Sequence, residues 1–338
     1  MEGATLIKRI IYKLILLHVT VLAAGSFSLN AAEEPLEIAP QRAYEKGTLL
    51  FQQNKYTEAK PFLSQALDHG YPSAGLMLAD IYKTNIFVQT KKEAKYLLKA
   101  AELGNFIAMF RLGGSRSIHT NSKEWDEKVI PEIKRFAKNG SPYAMRLMHA
   151  LATDEEESDQ WLKKAADAGD AYSQHKLAKR YKNGEGWFLI PGKREREVER
   201  LFKASADSGY REGMLSYAYH LLKNGNDKEY KEIFDRLLEL GDAKVILALS
   251  INYLDDGKYD LAAYYSKIYL MSMGGEELKS SYRTVQSVYD EAIIELNEEQ
   301  ISFAHDRAED YLATHTVHYQ KRIEEYEYTL ESLKQQIK

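Results

Sequence analysis

The chain has 338 residues, of which 44% are hydrophobic and 28% are charged, and it contains 20 Gly, 7 Pro and no Cys. The low glycine and proline content argues against a disordered, collagenous or mostly β protein and favours a helical one. The lack of cysteine excludes disulfides, thiol nucleophiles, iron–sulfur clusters and cysteine-ligated zinc. The net charge of −4 provides no basic excess, so we expect no nucleic-acid partner.

The N-terminal segment has the pattern of a secretory signal peptide. A basic start is followed by the uncharged run 14–29 and then by small residues that end at Ala31 and Ala32. We expect cleavage after Ala31, so that residues 1–31 are the signal peptide and residues 32–40 a linker. An uncleaved membrane anchor is the alternative, but the uncharged run is shorter than the about 20 residues that a membrane span needs.

A short basic start with a modest apolar run is typical of export to the periplasm of a Gram-negative bacterium. We therefore predict a periplasmic protein with no direct membrane insertion after signal cleavage. Because the chain has no cysteine to carry a lipid, we also predict that it is not a lipoprotein.

Seven glycines recur along the middle of the chain at intervals of 29 to 40 residues: Gly70, Gly104, Gly140, Gly169, Gly209, Gly241 and Gly274. The residues seven positions before the first six are large and apolar, and those four positions after are mostly small. Positions four, eight and twelve residues after each glycine would lie on one face of a helix that follows it. The pattern therefore predicts that each glycine ends one helix in the left-handed conformation of a C-terminal cap and is followed by a second helix.

The repeat columns follow the pattern Ala-Ala-x-x-Gly-x-x-x-Ala-x-x-x-Leu, seen best from Ala165 to Leu177 and followed by Tyr181. This pattern resembles the Sel-one-like repeat (SLR), a relative of the tetratricopeptide repeat, and the resemblance covers residues 41–275. It implies an all-α, right-handed superhelical solenoid of about seven helix-turn-helix repeats with a C-terminal helical cap. Stacked helix pairs of this kind bury a continuous core that no single pair could build.

Two further predictions concern the chain after the repeats. The sequence Asn297-Glu298-Glu299-Gln300 is a capping box that opens a helix to about His315, and we expect residues 276–315 to form the capping helices. Residues 316–338 carry apolar side chains at alternating spacings of four and three, which favours an amphipathic C-terminal helix. Self-association, or docking onto a partner, through residues 316–338 is the alternative interpretation.

Motifs for catalysis are missing from the sequence. It contains no phosphate-binding Gly-rich loop ending in Lys-Ser/Thr, no Gly-x-Ser-x-Gly and no His-Glu-x-x-His. His315 and His318 are close enough on a helix to share a metal, but no third ligand stands one turn away. We therefore predict a protein that is not an enzyme, with no catalytic site, cofactor or metal.

The sequence does offer candidate contact surfaces. In solenoids of this class the concave side, lined largely by the first helix of each pair, binds peptides or protein segments. Tyrosine is favoured at such interfaces, and Tyr172, Tyr210, Tyr219, Tyr264 and Tyr265 lie outside the repeat columns. An insertion between two helices carries Trp187, Phe188, Leu189 and Ile190, which either cover the adjacent core or form an exposed contact patch.

Together these observations predict a non-catalytic periplasmic scaffold or adaptor that binds one or more envelope proteins through the concave surface of the repeats. A periplasmic inhibitor of a signalling or secretion partner is one alternative. An enzyme that acts on the cell wall or on carbohydrate is the other.

Overall fold

The computed structural model describes residues 38–84, 88–114, 119–276, 279–321 and 323–335. The predicted signal peptide and most of the predicted linker lie outside these residues. In the described part of the chain every regular element is a helix, which confirms the all-α prediction. None of these helices is long and apolar enough to cross a membrane.

From Pro40 to Ser272 the described residues contain fourteen helices in seven consecutive pairs, and each helix packs against the next. The pairs are α1 (Pro40–Gln52) with α2 (Tyr56–Asp68), α3 (Pro72–Tyr82) with α4 (Lys91–Glu102), α5 (Phe106–Gly113) with α6 (Ser122–Lys138), α7 (Pro142–Leu151) with α8 (Glu155–Asp167), α9 (Ala171–Lys182) with α10 (Lys193–Asp207), α11 (Arg211–Lys223) with α12 (Asp227–Glu239), and α13 (Ala243–Asp255) with α14 (Tyr259–Ser272). The repeat solenoid is therefore confirmed, with the second helix of each of the first six pairs ending just before a repeat glycine.

The repeat columns form the core. All six residues seven positions before the first six glycines are buried, from Leu63 in the first pair to Phe234 in the sixth. The small residues four positions after the glycines are buried as well, so neighbouring helices approach closely there. Six of the seven glycines have φ between +64° and +96°, which confirms their role as left-handed helix ends.

Gly274 departs from this pattern, because it does not have a positive φ. It lies instead where the last helix pair meets the first: the Gly274 N–H donates to the Gln53 carbonyl at 2.7 Å. A Cβ on Gly274 would stand 2.5 Å from the Asn54 carbonyl oxygen, so only glycine allows this approach. Thr57 adds a hydrogen bond from its backbone N–H to Glu276 at 2.9 Å. The turn after α1 therefore contacts the segment after α14, so the first and last repeats meet.

Two capping helices follow the repeats. α15 (Lys279–Ile294) and α16 (Glu298–Thr314) both pack on α14, and Asn297 forms the predicted capping box with Gln300. Ala304 and Ala308 of α16 are buried against these neighbours. The two capping helices therefore cover the end of the repeat array, where the apolar face of α14 would otherwise be exposed.

The prediction of one amphipathic helix over residues 316–338 is wrong for the described residues. Residues 315–321 are extended, a 3₁₀ helix covers Ile323–Glu327, and α17 is limited to Leu330–Gln335. The physical reason is that the backbone at His318, Tyr319 and Tyr328 hydrogen-bonds to the repeats, which prevents one continuous helix. We call residues 315–335 the tail.

Candidate functional site

The tail crosses the repeats along the first helices of successive pairs. The His318 N–H donates to the Gly241 carbonyl at 3.0 Å, and the Ala243 N–H donates back to the His318 carbonyl at 3.2 Å, which gives a parallel bridge. Further along, the Phe106 N–H donates to the Tyr328 carbonyl at 3.0 Å beside an antiparallel bridge at Asn105. We call the surface of α3, α5, α7, α9, α11 and α13 along which the tail runs the inner groove.

The turn before α13 is shaped to receive the tail. A Cβ on Gly241 would lie 2.1 Å from the Thr316 carbonyl oxygen, so the tail backbone occupies the space that any side chain at this turn would need. Gly241 also has φ +64°, so glycine is required here for conformation and for proximity. The equivalent glycine of the preceding repeat, Gly209, has open space at the same position.

The Tyr326 residue of the tail fits a polar socket. Its carbonyl accepts hydrogen bonds from the Ser73 hydroxyl at 2.8 Å and the Asn105 side-chain amide at 2.6 Å, and its hydroxyl donates to Asp80. Ser73 and Asn105 are buried, so the tail provides hydrogen-bond acceptors for two polar side chains that would destabilise the fold without a partner. Burial and the neighbouring Asp80 carboxylate raise the pKa of Tyr326 well above its ordinary value, which keeps the hydroxyl a hydrogen-bond donor.

An arginine of the inner groove receives the acidic part of the tail. The Arg146 guanidinium lies 3.1 Å from the Glu325 carboxylate and 3.5 Å from Asp170, and it is buried. Burial opposes its charge, but Asp170 and Glu325 hold the pKa of Arg146 above its ordinary value. Arg146 also covers the ring of Tyr143 at 4.6 Å, and that ring packs against Tyr328 at 4.3 Å between centroids.

The extended part of the tail is held at both edges of the groove. The Tyr319 hydroxyl forms a buried hydrogen bond of 2.7 Å with the Tyr269 hydroxyl of α14. The Tyr319 backbone N–H donates to the Gln52 carbonyl at the end of α1. The Arg211 N–H donates to the Gln320 side chain at 2.8 Å. This stretch therefore joins the first repeat to the sixth and seventh, where the array closes.

The tail leaves space on both of its sides. One cavity of about 410 Å³ lies between Lys83, directly after α3, and Lys321 of the tail. A second cavity, of about 400 Å³, lies between Tyr210 and Gln320. Both are lined in part by Glu325, so the tail runs between them without filling the groove.

The predicted contact tyrosines fall in different places. Tyr172 and Tyr210 lie at the inner groove, where their rings meet edge to face at 6.3 Å. Tyr219 is exposed, Tyr265 is half-buried and stacks on Tyr253, and Tyr264 is buried beneath Arg307 of α16. The structure thus brings two of the five to the groove and places Tyr264 in the packing of the cap.

The insertion of residues 187–191, which we call the apolar loop, stands away from the core. Trp187, Leu189 and Ile190 are 86%, 81% and 58% exposed. Phe188 is half-buried and packs edge to face on Tyr181 at 4.9 Å. Of the two arrangements open from the sequence, three of the four side chains adopt the exposed one.

The apolar loop is nevertheless held in place. The Arg194 guanidinium donates to the carbonyls of Tyr181 at 3.1 Å and Gly186 at 2.9 Å, and it covers the Phe188 ring at 4.8 Å. Backbone carbonyls on one side and an aromatic ring on the other therefore fix the base of the loop. The three exposed side chains are presented on an ordered support, so contact with a partner orders little additional chain.

Other polar clusters in the described residues have structural explanations. His175 is buried between Phe202 and Tyr210, and burial lowers its pKa to about 4, so it is neutral and hydrogen-bonds Ser216 at 2.8 Å. Three side chains that the sequence analysis did not select, His305, Asp306 and Glu309, lie close enough together on α16 to share a cation, and both acids are exposed. Exposed acids on one helix are common without a bound ion.

Sequence reasoning missed the inner-groove residues that hold the tail, namely Ser73, Asp80, Asn105, Arg146 and Gly241. Ser73 and Asp80 share α3, but the other three belong to different helices or turns, so no single spacing links all five. One available signal was the β-branched run Thr314, Thr316 and Val317 just before the heptad stripe, because such residues favour extended backbone over helix.

The solved structures that are similar to this chain include two repeat proteins. One is described as a protective antigen present in uropathogenic Escherichia coli strains and displaying an SLR fold; it is 17% identical, with a TM-score of 0.44, over 82% of this chain and 62% of that one. The other is a Sel1 repeat protein from Oxalobacter formigenes, 18% identical with a TM-score of 0.41 over 80% of this chain and 83% of that one. These structural neighbours are Sel1-repeat proteins.

This chain therefore spans less than two thirds of the length of the E. coli protein. No protein-family model matches the sequence, and no curated protein matches it either.

Proposed function

We propose that this chain is a non-catalytic scaffold or adaptor that binds an envelope protein in the bacterial periplasm. The observation that carries the proposal is the apolar loop, where Trp187 and Leu189 are more than four fifths exposed on a support fixed by Arg194. Large apolar side chains grouped in this way are typical of protein contact sites, and tryptophan is among the residues that contribute most to binding.

The structure changes which surface we propose for the envelope partner. The sequence analysis assigned this contact to the concave side of the repeats, lined by the first helix of each pair, but the tail crosses several of these helices. The apolar loop lies between α9 and α10 and is accessible without any rearrangement. Export to the periplasm is proposed from the N-terminal pattern of basic, apolar and small residues.

Substitution of Trp187 by alanine tests this proposal. Because the side chain touches little of its own chain, we expect Trp187→Ala to leave the melting temperature within a few degrees of the wild type. If Trp187 anchors the partner, its loss costs about 2 kcal/mol or more of binding energy, which is roughly a thirtyfold loss of affinity. In-cell crosslinking of the tagged chain, followed by mass spectrometry, measures the amount of each captured envelope protein.

Phe303→Ala is the matched control, because Phe303 is an exposed aromatic residue on α16, at 62%. We expect this variant to capture the same envelope protein as the wild type, in the same amount. Equal capture by the Trp187→Ala variant would contradict the proposed role of the loop. A large loss of stability in that variant would show instead that Trp187 packs against the core.

A further inference from the structure

We propose that the inner groove is a peptide-binding site whose resident ligand is the chain's own tail, and that a partner segment with the sequence pattern Glu-Tyr-x-Tyr exchanges with the tail. This concerns a second surface, distinct from the apolar loop on which the proposed function rests. The contacts of the tail show which chemical groups the groove binds, and therefore which side chains such a segment would need.

The tail binds as a peptide ligand would. Its contacts with the groove are bridges at His318 and Thr329, joined by side-chain sockets between them. Main-chain hydrogen bonds of this kind provide affinity for any extended segment, and pockets for particular side chains provide specificity. The extended part, residues 315–321, has no helix of its own to lose on release.

The side-chain sockets specify the pattern. Glu325 pairs with buried Arg146, a charge-assisted contact at 3.1 Å that a neutral residue would not make. Tyr326 enters the socket that ends at Asp80, where its hydroxyl donates to one carboxylate oxygen while Arg111 pairs with the other at 2.7 Å. Tyr328 packs on the ring of Tyr143. An acidic residue, a tyrosine, any residue and a second tyrosine therefore match the groove in order.

The groove has room for exchange. The cavities of about 410 and 400 Å³ are both lined by Glu325, and Arg146 lines the second, so an incoming segment has access to Arg146 beside the tail. The tail is tethered to the same chain, which gives it an effective concentration in the millimolar range. A partner segment must therefore bind several sockets at once to replace it.

A synthetic peptide with the sequence of residues 315–335, carrying a fluorophore, tests the proposal by anisotropy on the full chain. We expect weak binding to the wild type, because the tail competes. A full-length chain with Glu325→Lys and Tyr326→Ala has a weakened tail and should bind the peptide at least tenfold more tightly. The control peptide carries the same two substitutions and should bind neither chain.

The wild-type chain gives a second measurement that needs no variant. Millimolar peptide should speed hydrogen exchange of the amides in residues 315–321, because these leave the groove. The proposal is overturned if the folded double variant binds the peptide no better than the wild type, or if the control peptide binds equally well. Dimerisation of the double variant without peptide binding also overturns it. Any of these three outcomes, with Trp187-dependent capture intact, leaves the proposed function in place.

Discussion

Gly241→Ala is expected to destabilise the protein more than alanine at any other left-handed repeat glycine. A left-handed alanine costs about 1–2 kcal/mol in its own backbone. At this position the new Cβ also meets the Thr316 carbonyl oxygen at 2.1 Å, a distance that no side chain can keep. The tail must then move, and it loses the bridge between His318 and Asp242. The free energy of unfolding therefore falls by more than the backbone cost alone.

Gly209→Ala separates these two effects. Gly209 has φ +77° at the equivalent turn, but a Cβ there meets no atom within 4 Å. Denaturant titration of the two variants should show a loss of about 1–2 kcal/mol for Gly209→Ala and a clearly larger loss for Gly241→Ala. Equal losses would mean that the tail does not press against Gly241.

Arg146→Ala is expected to have the other large effect. Arg146 is buried and neutralises two carboxylates, Asp170 of the repeats and Glu325 of the tail. Removal of one partner from a buried ion pair costs about 3–5 kcal/mol, because the remaining charges lose their compensation. The ring contacts with Tyr143 and Tyr172 are lost with it. We expect a loss of this size in the free energy of unfolding, measured by denaturant titration.

Arg135→Ala provides the comparison for an ordinary ion pair. Arg135 pairs with Glu132 at 2.6 Å on the exposed side of α6, and such surface pairs contribute about 0–1 kcal/mol. Limited proteolysis adds a second readout, since cleavage within the tail should increase in Arg146→Ala and not in Arg135→Ala. A loss below about 1 kcal/mol for Arg146→Ala would contradict the buried role of this side chain.

The repeat architecture was predictable because its signals are local and recur. A helix needs an apolar stripe and an end, and each repeat supplies both within about 34 residues, as in the segment from Leu162 through Gly169 to Leu177. The capping box at Asn297 is equally local. A rule that holds at six turns tolerates an exception such as Gly274, whose role is set by a contact with the distant residues Gln53 and Asn54.

The inner groove was not predictable from the sequence in the same way. Tyr326 and Ser73 are 253 positions apart, and no periodicity relates them. The heptad spacing of the tail predicted a helix because the spacing counts only apolar positions. The spacing contains no information about the turns at Asn105 and Asp242, which form backbone bridges with the tail. The apolar loop was selected from sequence, but its exposure depends on how Arg194 and Phe188 hold its base.

Hydrogen exchange of the full-length wild-type chain, read by mass spectrometry, tests most directly the claim that the tail lies in the inner groove. The His318 and Tyr319 amides donate to carbonyls of the repeats, at 3.0 and 3.2 Å. The His315 N–H still donates to the Tyr311 carbonyl in the last turn of α16, but residues 316–321 lie outside every helix. We predict slow exchange at these two amides, comparable to that of the repeat helices they contact. Exchange as fast as in an unfolded peptide would contradict the account.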